Sequence, residues 1–291
     1  MTHARITARP VLAFLGHHRC ATSWIGDIFG GACRELGLRY AVLHNARHAG
    51  GDVRRFVDER DLDALLYTNA EYGQVASIPG LRAFHVVRDP RDITVSAYFS
   101  HLYSHRIDAE WPELAERRAR LQRLGKEEGI AAEIDELDWE FACLRQWDYG
   151  DPRILEIRME ELTGRPYEEF IRIFRFLDLL DERRFVLARR AFYPLTKGVR
   201  VLEGLLGMRM PVRLGPRRLP VERVLGLVWE NAFQSKANGR DPGTEDHANH
   251  YRKGIAGDWR NHFSPAHAAV FRARHGELLV DLGYEADTAW R

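Results

Sequence analysis

The sequence predicts an α/β protein: a doubly wound parallel sheet of about five strands with flanking helices. Three observations carry this. Five short, nearly all-apolar runs are spaced along the chain: "VLAFL" (11–15), "YAVLH" (40–44), "ALLYT" (64–68), "AFHVV" (83–87) and "RILEI" (153–157). Such runs suit strands covered on both faces. The stretches between them carry helical periodicity, and strands alternating with helices imply parallel pairing. The first run also breaks at Gly16 into a short polar loop, with a helix pattern from Thr22. Ligands on sheets of this class bind at the carboxyl ends of the strands.

The elements follow in order. In the first helix Trp24, Ile25, Ile28, Phe29 and Leu36 fall on one face. After the fourth strand Pro90 suits a helix start, and Ser96 lies about two turns along. Tyr98, Phe99, Leu102 and Tyr103 continue that helix, either packing on the sheet or lining a pocket. Two stretches read as additions to a single domain spanning 1–291. Residues 106–148 are highly charged and read as two helices, "PELAERRARLQRL" and "IAAEIDELDWEFACLRQW", with solvated faces. Residues 194–220, rich in Gly, Pro and Arg, read as a lid or substrate loop. No internal repeat or low-complexity tract is visible.

The bulk numbers exclude several classes. Net charge is +1, so no global field draws in nucleic acid or an acidic membrane, and any anion site must be made locally. Three cysteines, Cys20, Cys33 and Cys143, form neither a disulfide set nor a zinc spacing. No apolar stretch precedes the first strand, and no run of about 18 apolar residues occurs. The expected setting is reducing and cytoplasmic, with no signal peptide and no transmembrane segment. Thirteen histidines raise the question of a metal. The closest groupings, His17–His18, His44/His48 and His247/His250, have neither an H-E-x-x-H pattern nor cysteine partners, so no metal is expected.

The loop after the first strand is built for an anion. A tight turn exposes backbone N–H groups, and the following helix adds its positive end. Thr22 and Ser23 supply hydroxyls, and Arg19 supplies a full charge with a planar fork of donors. Taken alone, it also fits a capped helix after a strand. A kinase-type loop would need Gly-Lys before Thr22, where this chain has Cys20 and Ala21. Cys20 is read as a small residue that fits there rather than as a reactive thiol. Two further segments concentrate cations. In "VVRDPRDITVSAYFSH" (86–101) Arg88 leaves the strand's carboxyl end with Ser96 nearby. In "HYRKGIAGDWRNHFS" (250–264) two adjacent cations precede a glycine that allows close backbone approach.

Together these segments resemble the sulfotransferases that use 3′-phosphoadenosine 5′-phosphosulfate (PAPS). That family has P-K-S-G-T-T-W, R-[ND]-P-x-D-x-x-x-S and R-K-G-x-x-G-D-W-K-N-x-F. This chain reads R-C-A-T-S-W (19–24), R-D-P-R-D-I-T-V-S (88–96) and R-K-G-I-A-G-D-W-R-N-H-F (252–263), with a further likeness over 156–179. The resemblance covers roughly 11–285 and implies a P-loop-containing nucleoside triphosphate hydrolase-like sulfotransferase fold.

It also implies site residues. The loop Arg19, Cys20, Ala21, Thr22, Ser23 and Trp24 would hold the 5′-phosphosulfate, with Arg19 in the place of the family's catalytic lysine and Trp24 stacked on the adenine. Arg88 and Ser96 would hold the 3′-phosphate with Arg252, Lys253 and Gly254. Asn231 and Phe233 would flank the adenine. The implied reaction moves a sulfuryl group from PAPS to a hydroxyl, less readily an amine, of a small-molecule, lipid or sugar acceptor, without a metal. The acceptor's proton requires a base. Asn69 stands where cytosolic members carry a histidine, and asparagine cannot serve. His44 at the end of strand two is the preferred base, with His48 and Glu71 behind it. A catalytically silent nucleotide-binding or scaffold protein and a P-loop kinase are the alternatives, and a homodimer is left open.

Overall fold

The computed structural model describes residues 10–107, 111–182 and 217–290. Strands β1 (Leu12–Leu15), β2 (Tyr40–Leu43), β3 (Ala64–Tyr67), β4 (Arg82–Val87) and β5 (Ile154–Arg158) form one parallel sheet in the order β2-β3-β1-β4-β5. All five expected strands are present, close to the expected bounds. Alternation divides β1 between two cores. Leu12 and Phe14 join Leu66 and Phe84 under α1 (Thr22–Leu36) on one face. Ala13 and Leu15 join Leu65 and Tyr67 under α2 (Val53–Glu59) and α3 (Tyr72–Val75) on the other. Helices on both faces make the sheet doubly wound, as the apolar runs predicted.

β1 lies between β3 and β4. From β1 the chain builds β2 and β3 on one side and then crosses to β4 and β5 on the other, which opens a crevice at the strands' carboxyl ends. α1 is held there by Ile25, Ile28, Phe29 and Leu36, all buried. Each such side chain contributes about 1.5–3 kcal/mol, which fixes the helix start against the end of β1. α4 (Pro90–Phe99) begins with Asp89 accepting from the Arg91 N–H at 2.9 Å and is buried along its whole length.

The charged stretch departs from expectation. It forms three helices, α5 (Leu114–Arg123), α6 (Lys126–Glu136) and α7 (Asp138–Arg145). Leu137 breaks the expected second helix, with φ −92 and ψ 9. The bend lets Ile130 and Ile134 before it, and Phe141 and Leu144 after it, reach one core cluster together with α4. Nor are these faces merely solvated, because Glu133 is fully buried.

Beyond β5 the chain forms α8 (Met159–Gly164) and α9 (Pro166–Phe176), then β6 (Leu180–Asp181), which pairs with β7 (Leu219–Pro220). Then follow α10 (Val221–Glu230), α11 (Phe233–Lys236) and α12 (Pro265–Asp281). Most of the expected lid, 194–216, lies outside the described residues, as do 108–110 of the charged stretch. Among the described residues no helix is long and apolar enough to cross a membrane.

Candidate active site

A cavity of about 1440 Å3 opens at the carboxyl ends of the strands. The loop after β1 forms its floor. Gly16 is required there: a Cβ would meet the Phe14 ring at 2.7 Å and the Thr22 methyl at 2.8 Å. Arg19 and Ala21 adopt left-handed φ of 62 and 57, a conformation that costs about 1–3 kcal/mol per non-glycine residue and clusters at functional sites. Ala21 occupies the N-cap of α1, and no side chain caps that end. The first-turn N–H groups are therefore left for an outside acceptor. Left-handed backbone leading into an uncapped helix is anion-binding geometry.

The motifs meet here. Arg19 Nε donates to Ser96 Oγ at 3.0 Å, and Arg88 Nη1 donates to the Arg19 carbonyl at 2.9 Å. The two clusters expected at opposite ends of a ligand are thus joined through Arg19. Burial, then the nearby charges of Arg88 and Arg252, bring the Arg19 guanidinium down to about 10. Three arginines crowd one cavity, and an anion would relieve their repulsion. Ala21, Thr22, Ser23 and Trp24 line the wall, with Ser23 Oγ 3.4 Å from His250 Nε2. Trp24 packs edge-on against Phe170, and its buried Nε1 has no partner.

The third segment supplies a braced pair of cations. Asp258, almost wholly buried, accepts from Arg252 Nη2 and Lys253 Nζ at 2.5 Å each, and from Asn261 Nδ2 at 2.8 Å. Burial pushes its carboxyl up, but hydrogen bonds from His262, Lys253, Asn261 and Arg252 outweigh this and hold it well below the carboxylate range. Arg252 also pairs with Glu245 and lies 4.5 Å over the Phe99 ring. Asp92 on α4 accepts from the Gly257 and Trp259 N–H groups at 2.6 and 2.8 Å, which docks this segment onto the second motif. Gly254, at φ 71, lies against the Phe233 ring, and both line the cavity. Among the described residues Glu245, Asp258 and His262 bring ligand-type atoms within 4.8 Å of one another. With Arg252 and Lys253 already on Asp258, this trio anchors cations rather than inviting one.

Two expected contacts lie off the wall. Cys20 is fully buried in the core beside α4, and its N–H is taken by the His17 carbonyl at 3.1 Å. Burial pushes its thiol up to about 12, against the pull of Arg88. Asn231 turns its amide to the Leu227 carbonyl at 2.9 Å, finishing α10, because the last carbonyls of a helix need donors.

His44, His48 and Glu71 line the same cavity. His44 Nδ1 is 3.0 Å from Thr68 Oγ1, and Glu71 accepts from the Tyr67 hydroxyl at 3.2 Å. Asn69 Nδ2 donates to the His44 carbonyl at 2.9 Å, tying the ends of β2 and β3 together. Sequence reasoning missed His18, His105, Trp111, Arg117 and His250, which also line the cavity. The His17–His18 doublet was the visible signal, and it had been weighed only as metal ligands.

No family model matches the sequence, and neither does any curated protein. Solved structures do resemble it. One is mouse sulfotransferase SULT7A1 complexed with PAP, the desulfated nucleotide, at 15% identity over 94% of this chain and 86% of that one, with a TM-score of 0.50. Another is a retinol dehydratase in complex with androsterone and PAP, at 15% identity over 94% and 82%, with a TM-score of 0.44. The first likeness establishes the sulfotransferase fold.

Proposed function

We propose that this chain moves a sulfuryl group from PAPS to a hydroxyl, less readily an amine, of a small-molecule, lipid or sugar acceptor. The observation that carries this is the convergence of Arg19, Arg88 and Arg252 on one cavity beside an uncapped helix end. A ligand with anionic groups at two ends fits that arrangement. The orphaned Trp24 Nε1 is a further donor awaiting a partner.

The donor supplies an activated sulfuryl group on a phosphate that leaves as an anion. The first turn of α1, with Thr22 and Ser23, would hold the 5′ end. Arg88, Ser96, Arg252, Lys253 and the Gly254 backbone would hold the 3′-phosphate. Trp24 and Phe233 would bracket the base. Arg19 stabilises the charge that grows as the sulfur–oxygen bond breaks, acting as a fixed cation and donor. It does so without giving up its proton, since even at about 10 the guanidinium stays charged near neutrality. The acceptor's proton needs a base on the wall, where His44, His48 and Glu71 stand, as does His18.

Thermal-shift titration tests the reading. PAP should raise the melting temperature strongly and ATP with magnesium should not. PAPS should then be consumed in the presence of a panel of phenols, alcohols, sugars and amines. Stabilisation by ATP–magnesium alone would favour a kinase. PAP binding with no turnover of PAPS would favour a silent nucleotide-binding protein.

A further inference from the structure

Resting on the proposed sulfuryl transfer, we infer that His18 is the base that receives the acceptor's proton, and that His101 and Glu133 carry it away from the cavity. The His18 ring lies on the cavity wall next to Arg19 in sequence. Its Nε2 is 2.9 Å from His101 Nε2, with the rings stacked at 5.1 Å. His101 Nδ1 is 2.9 Å from Glu133 Oε2. Both inner groups are fully buried. Arg117 closes the chain with a fork onto Glu133, Nε at 3.1 Å and Nη2 at 2.9 Å. His101 reaches this position because α4 passes into a π turn, Ser100–Ser104, a feature frequent at functional sites.

The protons order themselves along this chain. Glu133, ionised against Arg117, accepts from His101 Nδ1–H. His101 Nε2 is then bare and accepts from His18 Nε2–H. His18 Nδ1 is left with its lone pair, and no protein partner takes it among the described residues. The transfer balances. The acceptor O–H proton goes to His18 Nδ1 as oxygen bonds to sulfur. The Nε2 proton of His18 moves to His101 Nε2, and the Nδ1 proton of His101 moves to Glu133, which ends as a neutral acid.

The charges around the relay favour this direction. Burial, followed by His101, Arg19, His105 and Arg117, holds His18 well below the ordinary imidazole range. Burial, Arg117, Arg19, His105 and Arg118 do the same to His101. Neither ring can keep a charge, so the proton must move on. Burial pushes the Glu133 carboxyl up to about 7, against Arg117 and Arg120, so it can take a proton near neutrality.

The neighbouring His17 provides a contrast. It makes the same Nε2-to-Nε2 contact with His85 at 2.7 Å, backed by Glu156 at 2.6 Å, but it is sealed from the cavity. That chain braces the loop.

The test uses the full chain and two readouts. Histidine tautomers are read by long-range proton–nitrogen NMR on 15N-histidine protein, with His18→Gln assigning the resonance. His18 should be neutral and protonated on Nε2. In Glu133→Gln the amide donates to His101 Nδ1, and both tautomers should switch. The second readout is PAP release from PAPS in water, with PAP affinity by calorimetry. His18→Gln and Glu133→Gln should lower kcat about 10²-fold while PAP affinity stays within about twofold. A wild-type His18 protonated on Nδ1, or full PAP release by His18→Gln, overturns the relay. A wild-type chain that neither binds PAP nor consumes PAPS defeats the proposed function instead, and the wild-type tautomers still decide the relay.

Discussion

Replacing Gly254 by alanine should damage the cavity in a way that one ring explains. The new Cβ would lie 2.5, 2.6 and 2.9 Å from three carbons of Phe233, at a φ of 71. The left-handed backbone alone costs about 1 kcal/mol or more. Driving the ring back costs about 1 kcal/mol or more again. Together they come to about 2–3 kcal/mol, or about 3–5 °C in melting temperature for a chain of this size. Phe233 is also the proposed wall for the nucleotide base, so PAP affinity should fall about tenfold, equivalent to about 1.4 kcal/mol. The assay is a double-mutant cycle with Phe233→Ala, read by thermal melting and by PAP calorimetry. Without the ring the alanine should cost only its backbone strain, leaving a coupling of about 1 kcal/mol. Additive losses would refute the ring contact as the cause, and an unshifted melting temperature would refute both parts of the reasoning.

Two further outcomes follow from the same geometry. Arg19→Ala should lower PAPS turnover about 10²–10³-fold while PAP still binds through the remaining cations; near-normal turnover would remove Arg19 from the reaction. Burial pushes the Glu156 carboxyl up to about 8, against the pull of the Trp147 N–H. The folded state therefore keeps this proton where the unfolded chain, near about 4.3, has lost it. Stability from this source is complete below about 4.3 and lost as pH rises toward about 8, at up to about 1.4 kcal/mol per pH unit. Urea unfolding across that range should show the decline, and Glu156→Gln should flatten it; an unchanged slope would show that Glu156 is not its source.

The meeting of Arg19, Arg88 and Ser96 at one cavity was legible because its determinants are local. A strand, a polar turn and a helix start occur within "FLGHHRCATSW", and Arg88 and Ser96 are separated by a fixed helical spacing. Cys20 and Asn231 show the limit of that logic. Both sit inside the right segments, yet one side chain turns into the core and the other completes a helix end. The charged helices were misread for a related reason. Composition reports polarity, but not that Glu133 is drawn fully inside by Arg117 and His101. The proposed base was illegible because its three groups come from a loop, a π turn and α6, and no periodicity connects them.

Asn69 ties the ends of β2 and β3 together. At the position where the resemblance calls for a histidine, it gives its amide to the His44 carbonyl and joins β2 to β3. In the proposed reaction Asn69 offers no base, and His18, in the loop after β1, takes that part. In that reaction the proton is handled next to Arg19, the cation assigned to the leaving group. Two cations, Arg19 and Arg117, flank His18, which disfavours an imidazolium at rest and makes a buried carboxylate behind it necessary. Glu133 meets that requirement, 2.9 Å from His101 Nδ1.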